Sequence, residues 1–334
     1  MANLDWRIRR VGQAVFTIWA VLTLTFVLIR VMPGNPLGRM RVRLIRQGMS
    51  PSRVNALIET RLSIDPNEPI PIAYVNYLID FIQGNLGQSI YYEEPVIRIL
   101  AEALPWTVFV LGWGIFISYS LSIVLGALMG YWEGGKLDVF LSTVSIVLGS
   151  IPFYVLAILF LIFLSYQAGW FPTGGRMTTG TDPGFNWPFI SGIIYHATLP
   201  VMSYVVISGL RALGMRGNSI RVLGSDYLRV ARLRGLSDLT ISTQYVGRNA
   251  VLPLYTSFLI SIGRMFGGSA ILEEVFTYRG LGYYTLHALY QRDYPLLMGA
   301  FALLTIAVVL ALVLADMTYP LIDPRAGGGS DESY

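Results

Sequence analysis

Residue types that carry out catalysis or bind metals are scarce in this sequence. There is no cysteine, which excludes disulfides, thiolate metal sites and thiol nucleophiles. The two histidines, His196 and His287, lie far apart in apolar or aromatic surroundings, which argues against a histidine metal site. Serines in apolar helices usually hydrogen-bond to the carbonyl four residues earlier, so they offer no compelling dyad with a histidine. We therefore expect no catalytic residue, no metal, no cofactor and no enzymatic activity.

The composition is typical of a membrane protein. Of the 334 residues, 54% are hydrophobic and only 13% are charged, roughly half the charged fraction of a soluble domain. The net charge of +4 comes from arginine, because Lys136 is the only lysine. Arginine suits lipid headgroups and buried ion pairs. We find no soluble basic face, so nucleic-acid binding is not expected.

Six apolar stretches are long enough to cross the hydrocarbon core as helices, which takes about 20 residues each. They cover residues 11–29, 104–129, 139–168, 190–210, 250–272 and 296–315. Gly149 and Pro152 interrupt the third stretch and are expected to kink it. Arg264, in the fifth, is the only formal charge within a predicted span. The predicted fold is an all-α membrane protein with six transmembrane helices.

The first apolar stretch follows a basic start, which is also typical of a cleaved signal peptide. Here the stretch is long and ends in Arg30-Val31-Met32-Pro33-Gly34, without a small-residue cleavage site. These features favour a retained transmembrane helix.

Arginine and lysine in the loops predict the orientation. With the N-terminus in the cytoplasm, the inside segments hold twelve of these residues and the short outside loops hold three. The segment 30–103 would carry eight arginines outside, but it is too long for the rule to apply with force, and seven acidic residues nearly balance it. We therefore predict a cell-membrane protein with both termini in the cytoplasm.

The spans also predict a division of the chain. Residues 1–31 form the N-terminal tail and first helix, and residues 32–103 form a small folded extracytoplasmic cap rich in proline and amphipathic pieces. Residues 104–320 form a core of five helices that contains the cytoplasmic loop 211–250. The Gly/Ser-rich, acidic residues 321–334 read as a disordered cytoplasmic tail.

The cytoplasmic loop contains a short helical pattern. Asp226 can cap or favour a helix N-terminus, Gly235 can end the helix, and Ser237 can start the next one. Ala231 and Gly235 are four residues apart and share a face, where their small size lets another surface approach closely. A docking element is one interpretation, and a lipid-facing helix whose arginines contact anionic headgroups is the other.

The same loop resembles the "EAA" coupling motif of ATP-binding-cassette importer permeases, in their dipeptide and oligopeptide branch. The resemblance puts Val230, Ala231 and Gly235 at the small-residue positions of the motif. Arg229 replaces the leading acidic residue, and Gly235 lies eighteen positions before Pro253, longer than in the general motif. Both departures are usual in the peptide branch. The resemblance implies that an ATPase is coupled through Asp226, Tyr227, Arg229, Val230, Ala231 and Gly235.

Short motifs along nearly the whole chain follow the order of that family. They include Pro33-Gly34-Asn35-Pro36, Gly84-Asn85-Leu86-Gly87-Gln88-Ser89, Leu104-Pro105-Trp106-Thr107, Ser150-Ile151-Pro152-Phe153, Gly169-Trp170-Phe171-Pro172-Thr173, Glu273 with Phe276, Gly280-Leu281-Gly282, Arg292-Asp293-Tyr294-Pro295, and Asp316, Tyr319 and Asp323-Pro324-Arg325. Each motif is weak alone, and the ordered set is strong. Arg279 stands where the family usually has proline.

The resemblance implies the type I ABC importer permease fold and a set of partners. These are a second homologous permease, two ATP-binding-cassette ATPases, an extracytoplasmic substrate-binding protein and membrane lipid. The short helix at 228–235 would sit in a groove on one ATPase and convert its closure into rotation of the spans. The implied cargo is a di- or oligopeptide, with oligosaccharide or nickel as the alternative.

Other classes fit the sequence less well. A secondary transporter is disfavoured by the lack of a detectable inverted repeat and by the single intramembrane charge. An intramembrane enzyme would need paired carboxylates, a dyad or a metal cluster in the spans. A purely structural scaffold, the third alternative, would be favoured only if no ATPase copurifies with the protein.

Arg264 has two possible roles. It lies near mid-membrane, where an arginine facing lipid costs at least about 2.5 to 3.5 kcal/mol, so it should face protein or a wet cavity. Either it is structural, bound by carbonyls freed at a kink or by an acidic group of another subunit, or it lines the pathway and attracts a carboxylate on the cargo.

Overall fold

The computed structural model describes residues 2–31, 41–42, 45–46, 48–54, 69–206, 209–237, 240–241, 245, 248–265 and 270–322, with only the backbone at some helix ends. Within this part of the chain the named elements are all helical, and the only β-type pairing is an isolated bridge between Gln88 and Pro95. The helices are α1 (Ala2–Val31), α2 (Ile70–Ile82), α3 (Val96–Tyr131), α4 (Lys136–Gly149), α5 (Phe153–Phe160, continued by a π-helical segment, Leu161–Gln167), α6 (Trp187–Val206), α7 (Gly209–Leu223), α8 (Asp226–Leu233), α9 (Arg248–Met265), α10 (Ala270–Val275), α11 (Leu281–Gln291) and α12 (Tyr294–Ile322).

Four helices in the described residues are long and apolar enough to cross a membrane. They are α1, α3, α6 and α12, and a fifth span results if α4 and α5 count as one bent span. These five correspond to the first four predicted spans and the sixth. Helix α9 corresponds to the predicted fifth span, but it contains Arg248, Asn249 and Arg264 and falls short of the apolar character of the others.

The predicted kink near Pro152 is confirmed. Helices α4 and α5 are separated by three residues and bend by 92° relative to each other. Proline lacks a backbone N–H and cannot continue the hydrogen-bond ladder of the preceding helix, so Pro152 instead starts the next one. The carbonyls of Ile146 and Val147 are satisfied by the Ser150 N–H at 3.0 and 3.2 Å.

Two compact units divide the chain. The first comprises Met1–Val108, Phe266–Glu274 and Arg279–Leu310, and the second comprises Phe109–Met265, Val275–Tyr278 and Ala311–Tyr334. These units follow contacts within the chain, whereas the predicted boundaries at 32, 104 and 321 follow the membrane spans and stay a prediction. Much of the predicted cap, and the tail from 323 onward, lie outside the described residues.

The first unit has an apolar core built from helices α3, α11 and α12. Its buried side chains are Val96, Ile99, Leu100, Ala103, Leu281, Ala288, Leu296, Leu297 and Ala300. Gly299 permits this packing, because a Cβ there would lie 2.5 Å from Cγ1 of Val96. In the same unit α2 packs on α1, where Phe26 stacks on Tyr77 and the Thr23 and Tyr74 hydroxyls lie 2.6 Å apart.

Two buried carboxylates organise the polar interior of the first unit. Asp293 accepts hydrogen bonds from the Ser89 hydroxyl and from the Tyr91 N–H at 3.0 Å. Glu273 accepts one from the Thr107 hydroxyl at 2.7 Å and one from the Tyr283 N–H at 2.9 Å. The motif residues Ser89, Thr107, Glu273 and Asp293 thus have structural roles in this unit.

Helices α3 and α7 approach closely in the second unit. A Cβ on Gly126 would lie 2.5 Å from both the Ala212 carbonyl oxygen and the Met215 Cβ, and one on Gly130 would lie 2.6 Å from the Ser219 Cβ. Both glycines therefore lie where α7 leaves no room for a side chain. Such small-xxx-small seams allow helices in membranes to pack backbone to backbone.

Candidate functional site: a short helix with an exposed apolar face

Helix α8 begins at Asp226, the residue that the local pattern predicts, and two residues before the range 228–235 that the family resemblance implies. Ser225 precedes it in extended conformation, with φ −80° and ψ 144°, and its hydroxyl donates to the Val222 carbonyl rather than capping the helix. Asp226 is the first helical residue. Its carboxylate is therefore near the positive end of the helix dipole, which favours the helix electrostatically.

Gly235 terminates α8 through its backbone conformation. Its φ is +72°, a region that side-chain-bearing residues rarely adopt. The Gly235 N–H donates to the Arg232 carbonyl at 2.9 Å, and the Leu236 N–H donates to the Ala231 carbonyl at 3.4 Å, as in a left-handed helix end. Nothing lies within 4 Å of where a Cβ would be. Glycine is needed here for its torsion angle, since space is available.

Ala231 lies on the inner face of α8. Together with Leu228 it is buried against Ile241, and the cluster is completed by Val222, Leu223, Leu236 and Tyr245. Ala231 and Gly235 thus have different environments in this chain. The small size of Ala231 serves packing within the loop, whereas Gly235 is exposed and provides the turn.

The outer face of α8 is apolar and exposed. Tyr227, Val230 and Leu233 follow one another at intervals of three residues and are 41%, 54% and 81% exposed. Asp226 and Arg229 are exposed beside them. Contiguous exposed apolar patches with polar neighbours are typical of surfaces that contact another protein or a membrane.

A bidentate ion pair anchors helix α7, which leads into α8. Arg216 donates from Nε and Nη2 to the two carboxylate oxygens of Asp138 at 2.6 and 2.8 Å. Asp138 also accepts hydrogen bonds from the Gly134 N–H at 2.9 Å and the Ser142 hydroxyl at 3.2 Å. These contacts raise the pKa of Arg216 above its ordinary value through the hydrogen bond to Asp138. The turn between α3 and α4 is thereby tied to α7.

Helix α7 is also packed against α9 on the far side of the loop. Met215 contacts a buried cluster with Ala250 and Leu254, and the Asn218 side chain donates to the Ala250 carbonyl at 3.4 Å. The loop that carries α8 therefore begins and ends on two helices that pack against each other.

Other residues singled out by the sequence have these positions. The backbone of Arg264 belongs to α9, and its side chain is not among the described parts of the structure. His196 Nδ1 lies 3.0 Å from the Gly174 carbonyl oxygen, and His287 Nε2 lies 3.4 Å from a Glu274 carboxylate oxygen. Within the described ranges, no three His, Asp or Glu side chains are grouped to hold a metal ion.

Two features of this site were missed in the sequence. The apolar residues 227, 230 and 233 form a period-three pattern in the sequence, whereas the predicted docking face rests on the small residues Ala231 and Gly235. The Gly126-x-x-x-Gly130 spacing in an apolar helix was a second available signal for close packing.

Residues 122–328 match the family described as "Binding-protein-dependent transport system inner membrane component". The chain belongs to this family and is a permease component of an ABC importer in the inner membrane. Permease subunits are not enzymes, and ATP is hydrolysed on separate ATPase subunits.

Similar proteins cover nearly the full chain. The oligopeptide transport system permease protein AppB of Bacillus subtilis is 31% identical, over 95% of this chain and 98% of its own length. A putative peptide permease of Brucella suis is 30% identical, over 92% of this chain and 93% of its own length. A structure of the MetNI methionine ABC transporter in inward-facing conformations has a TM-score of 0.53 and 17% identity, covering 68% of this chain and 97% of the other. This likeness shows the type I importer permease fold.

Proposed function

We propose that this chain is the permease of an ATP-driven importer of di- or oligopeptides. The observation that carries the proposal is the match over almost the whole length to permeases named for oligopeptide or peptide transport. The described structure adds an apolar helical protein with an exposed helix on a connecting loop. Import of oligosaccharide or nickel is the alternative within the same class.

The functional assembly in this proposal has two permeases, two ATPases and an extracytoplasmic binding protein. Helix α8 docks into a groove on one ATPase and couples ATP-driven closure to the spans. Its exposed Tyr227, Val230 and Leu233 support this role, because they would be buried by such a groove. Asp226 at the helix start, the inward packing of Ala231 and the turn at Gly235 would orient that face, and the exposed Arg229 would lie beside it.

The topology in this proposal has six spans, with α9 as the fifth and the pair α4 and α5 as the third. Both termini are cytoplasmic, and residues 32–103 form an extracytoplasmic cap. The arginine and lysine distribution supports this orientation. Because the chain lacks cysteine, single cysteines can be introduced and labelled cleanly. Cysteine at position 60 should react from outside in intact cells, and labelling only after permeabilisation would contradict the topology.

Arg264 keeps its two roles in this proposal. Arg264→Gln retains much of the volume and removes the charge. Intact assembly with altered transport or cargo preference would identify a pathway residue, whereas loss of the folded complex would identify a structural one. Unchanged transport of several cargoes, together with normal complex yield, would count against both roles.

The test of the proposed function is reconstitution. The complete importer in proteoliposomes, supplied with its binding protein, should take up trialanine only when ATP is hydrolysed. Uptake of nickel or an oligosaccharide but not of peptides would show that the proposed cargo is wrong. Uptake that needs an ion gradient but no ATP would show that the protein is a secondary transporter.

Docking by α8 is tested separately. Leu233→Asp puts a charge on the exposed apolar face, and we expect at least about a tenfold weaker association with the ATPase, which corresponds to about 1.4 kcal/mol. Ile82→Asp is the matched control, because Ile82 is similarly exposed, at 83%, on α2. Normal ATPase copurification with Leu233→Asp would rule out this face as the docking surface.

A further inference from the structure

Arg211 lies close to two tyrosine rings in the second unit. Its guanidinium carbon is 5.0 Å from the centre of the Tyr119 ring and 5.6 Å from that of Tyr204. One terminal nitrogen donates to the Ser118 hydroxyl at 2.5 Å, and the other donates to the Tyr204 hydroxyl at 3.3 Å. The guanidinium is therefore oriented by two neutral hydroxyls and two aromatic faces.

This guanidinium lies beside the middle of an apolar helix. Ser118 precedes Tyr131, the last residue of α3, by about 20 Å at the helical rise of 1.5 Å per residue. The sequence counts Arg211 as the first residue of the cytoplasmic loop. In the structure α7 continues along α3 at Gly126, and the Arg211 side chain extends further toward the helix middle. The Arg211 guanidinium therefore lies beside α3, one of the helices apolar enough to cross a membrane, and not in the cytoplasmic loop.

The positive charge of Arg211 is not neutralised within the described part of the second unit. Its hydrogen-bond partners there are the hydroxyls of Ser118 and Tyr204, and no carboxylate of the described residues forms an ion pair with it. A guanidinium has five N–H donors, of which these contacts use two. The remaining donors suit a planar carboxylate, which arginine binds in a bidentate manner.

The surroundings of Arg211 are built by close packing. The Tyr204 ring reaches α3 because Gly114 has no side chain, and a Cβ there would lie 3.1 Å from the ring. The Tyr119 hydroxyl is 2.8 Å from the Ser261 hydroxyl, which fixes the second ring. Arg211 itself is half-buried. At this depth its accessible part must face protein or water, because lipid would not solvate the charge.

We propose that Arg211, oriented by Ser118 and Tyr204, binds the carboxylate of a peptide passing through the permease. This inference rests on the proposed function, since it assigns a contact to the peptide cargo. The two tyrosine faces add apolar and planar surface beside the cation, which suits a peptide terminus. The site selects cargo that carries an anionic group, independently of selection by the binding protein.

Two probes that differ only in this group test the inference. They are trialanine and trialanine amide, each supplied with enough binding protein to saturate delivery to the reconstituted importer. Arg211→Gln should lower ATP-driven trialanine uptake about tenfold and change uptake of the amide less than about twofold. Arg211→Lys keeps the charge but lacks the planar guanidinium. Its trialanine uptake should lie between that of the wild type and that of Arg211→Gln. Arg221→Gln is the matched control, because Arg221 is an exposed residue of the same helix.

The outcomes separate the alternatives. Equal losses for both probes, or no loss for trialanine, would overturn the carboxylate site. Failure of both Arg211→Gln and Arg211→Lys to assemble, while Arg221→Gln assembles, would assign Arg211 to a structural contact and also overturn it. Absence of ATP-driven trialanine uptake by the wild-type importer would instead contradict the proposed function.

Tyr204→Phe provides a second measurement that keeps the charge. It removes the hydroxyl that accepts from Arg211 and retains the ring. A selective loss for trialanine, smaller than that of Arg211→Gln, is expected. An equal effect on both probes would contradict an orienting role.

Discussion

Asp138 and Arg216 form a forked ion pair across 78 positions of the chain, with both carboxylate oxygens engaged at 2.6 and 2.8 Å. The Asp138 side chain is 3% exposed and that of Arg216 is 28% exposed. The pair joins the turn before α4 to α7, the helix that leads into α8. It therefore bears on the stability of the second unit and on the proposed coupling through α8.

Asp138→Asn should destabilise the second unit. Removing one partner of a buried pair costs about 3 to 5 kcal/mol, and the partial exposure of Arg216 points to the lower end of that range. Thermal unfolding of the purified complex in detergent, followed by tryptophan fluorescence, should shift down by several degrees. Glu102→Gln, which breaks an exposed pair with Arg98 on α3, should leave the midpoint nearly unchanged. Similar midpoints for both variants would argue against a stabilising role of the buried pair.

Gly126→Ala should disrupt the seam between α3 and α7. The added Cβ would meet the Ala212 carbonyl oxygen and the Met215 Cβ at 2.5 Å, so the two helices must separate. Overpacking of this kind costs typically about 1 to 3 kcal/mol. Gly112→Ala on the same helix is the control, because nothing lies within 4 Å of its added Cβ. We expect lower thermal stability and lower transport only for Gly126→Ala. Equal stability and transport of Gly126→Ala and Gly112→Ala would contradict close packing of α3 and α7 at Gly126.

Variants at Gly235 test whether glycine is needed there for its backbone conformation or for its small size. At φ +72° asparagine is tolerated far better than a β-branched residue. If the turn is what α8 needs, Gly235→Asn should retain ATPase association and Gly235→Val should weaken it severalfold. Copurification of the ATPase with each variant measures this. Equal loss with Asn and Val would instead support a tight contact at this position, as the small-residue interpretation of the sequence predicts.

Thr107→Val should destabilise the first unit. The Thr107 hydroxyl donates to Glu273 and accepts the Leu281 N–H, both at 2.7 Å, so valine leaves two buried groups without this partner. An unsatisfied buried group costs about 1 to 3 kcal/mol. Thermal unfolding should therefore begin several degrees lower. Thr143→Val is the control, because its exposed hydroxyl bonds only the carbonyl one turn earlier. A thermal unfolding midpoint equal to that of the control would contradict a stabilising role of the Thr107 hydroxyl.

Local sequence patterns predicted much of the helical architecture. The long apolar stretches predicted the helices α1, α3, α6 and α12, because burial in lipid requires a continuous run of apolar side chains. Pro152 predicted the bend, since a missing N–H acts locally. Gly235 predicted the end of α8 for the same kind of local reason. The ordered motifs also indicated the family to which the chain belongs.

The number of spans was less accessible to such patterns. Helix α9 combines Arg264 with a polar start, and its assignment as a span remains a prediction. Hydropathy measures the average of a segment. A helix that lies against protein in an assembly needs less apolar surface than one surrounded by lipid.

The sequence by itself determined the membrane environment, the helical class and the position of the short helix α8, because each follows from residues close together in the chain. Only the tertiary structure decided which partner each polar residue has. Asp138 pairs with Arg216, Ser89 with Asp293 and Arg211 with Ser118, across 78, 204 and 93 positions. It also decided that Ala231 is turned inward while Leu233 is exposed. The physical reason is that such contacts depend on how helices are brought together by packing, which no local pattern specifies.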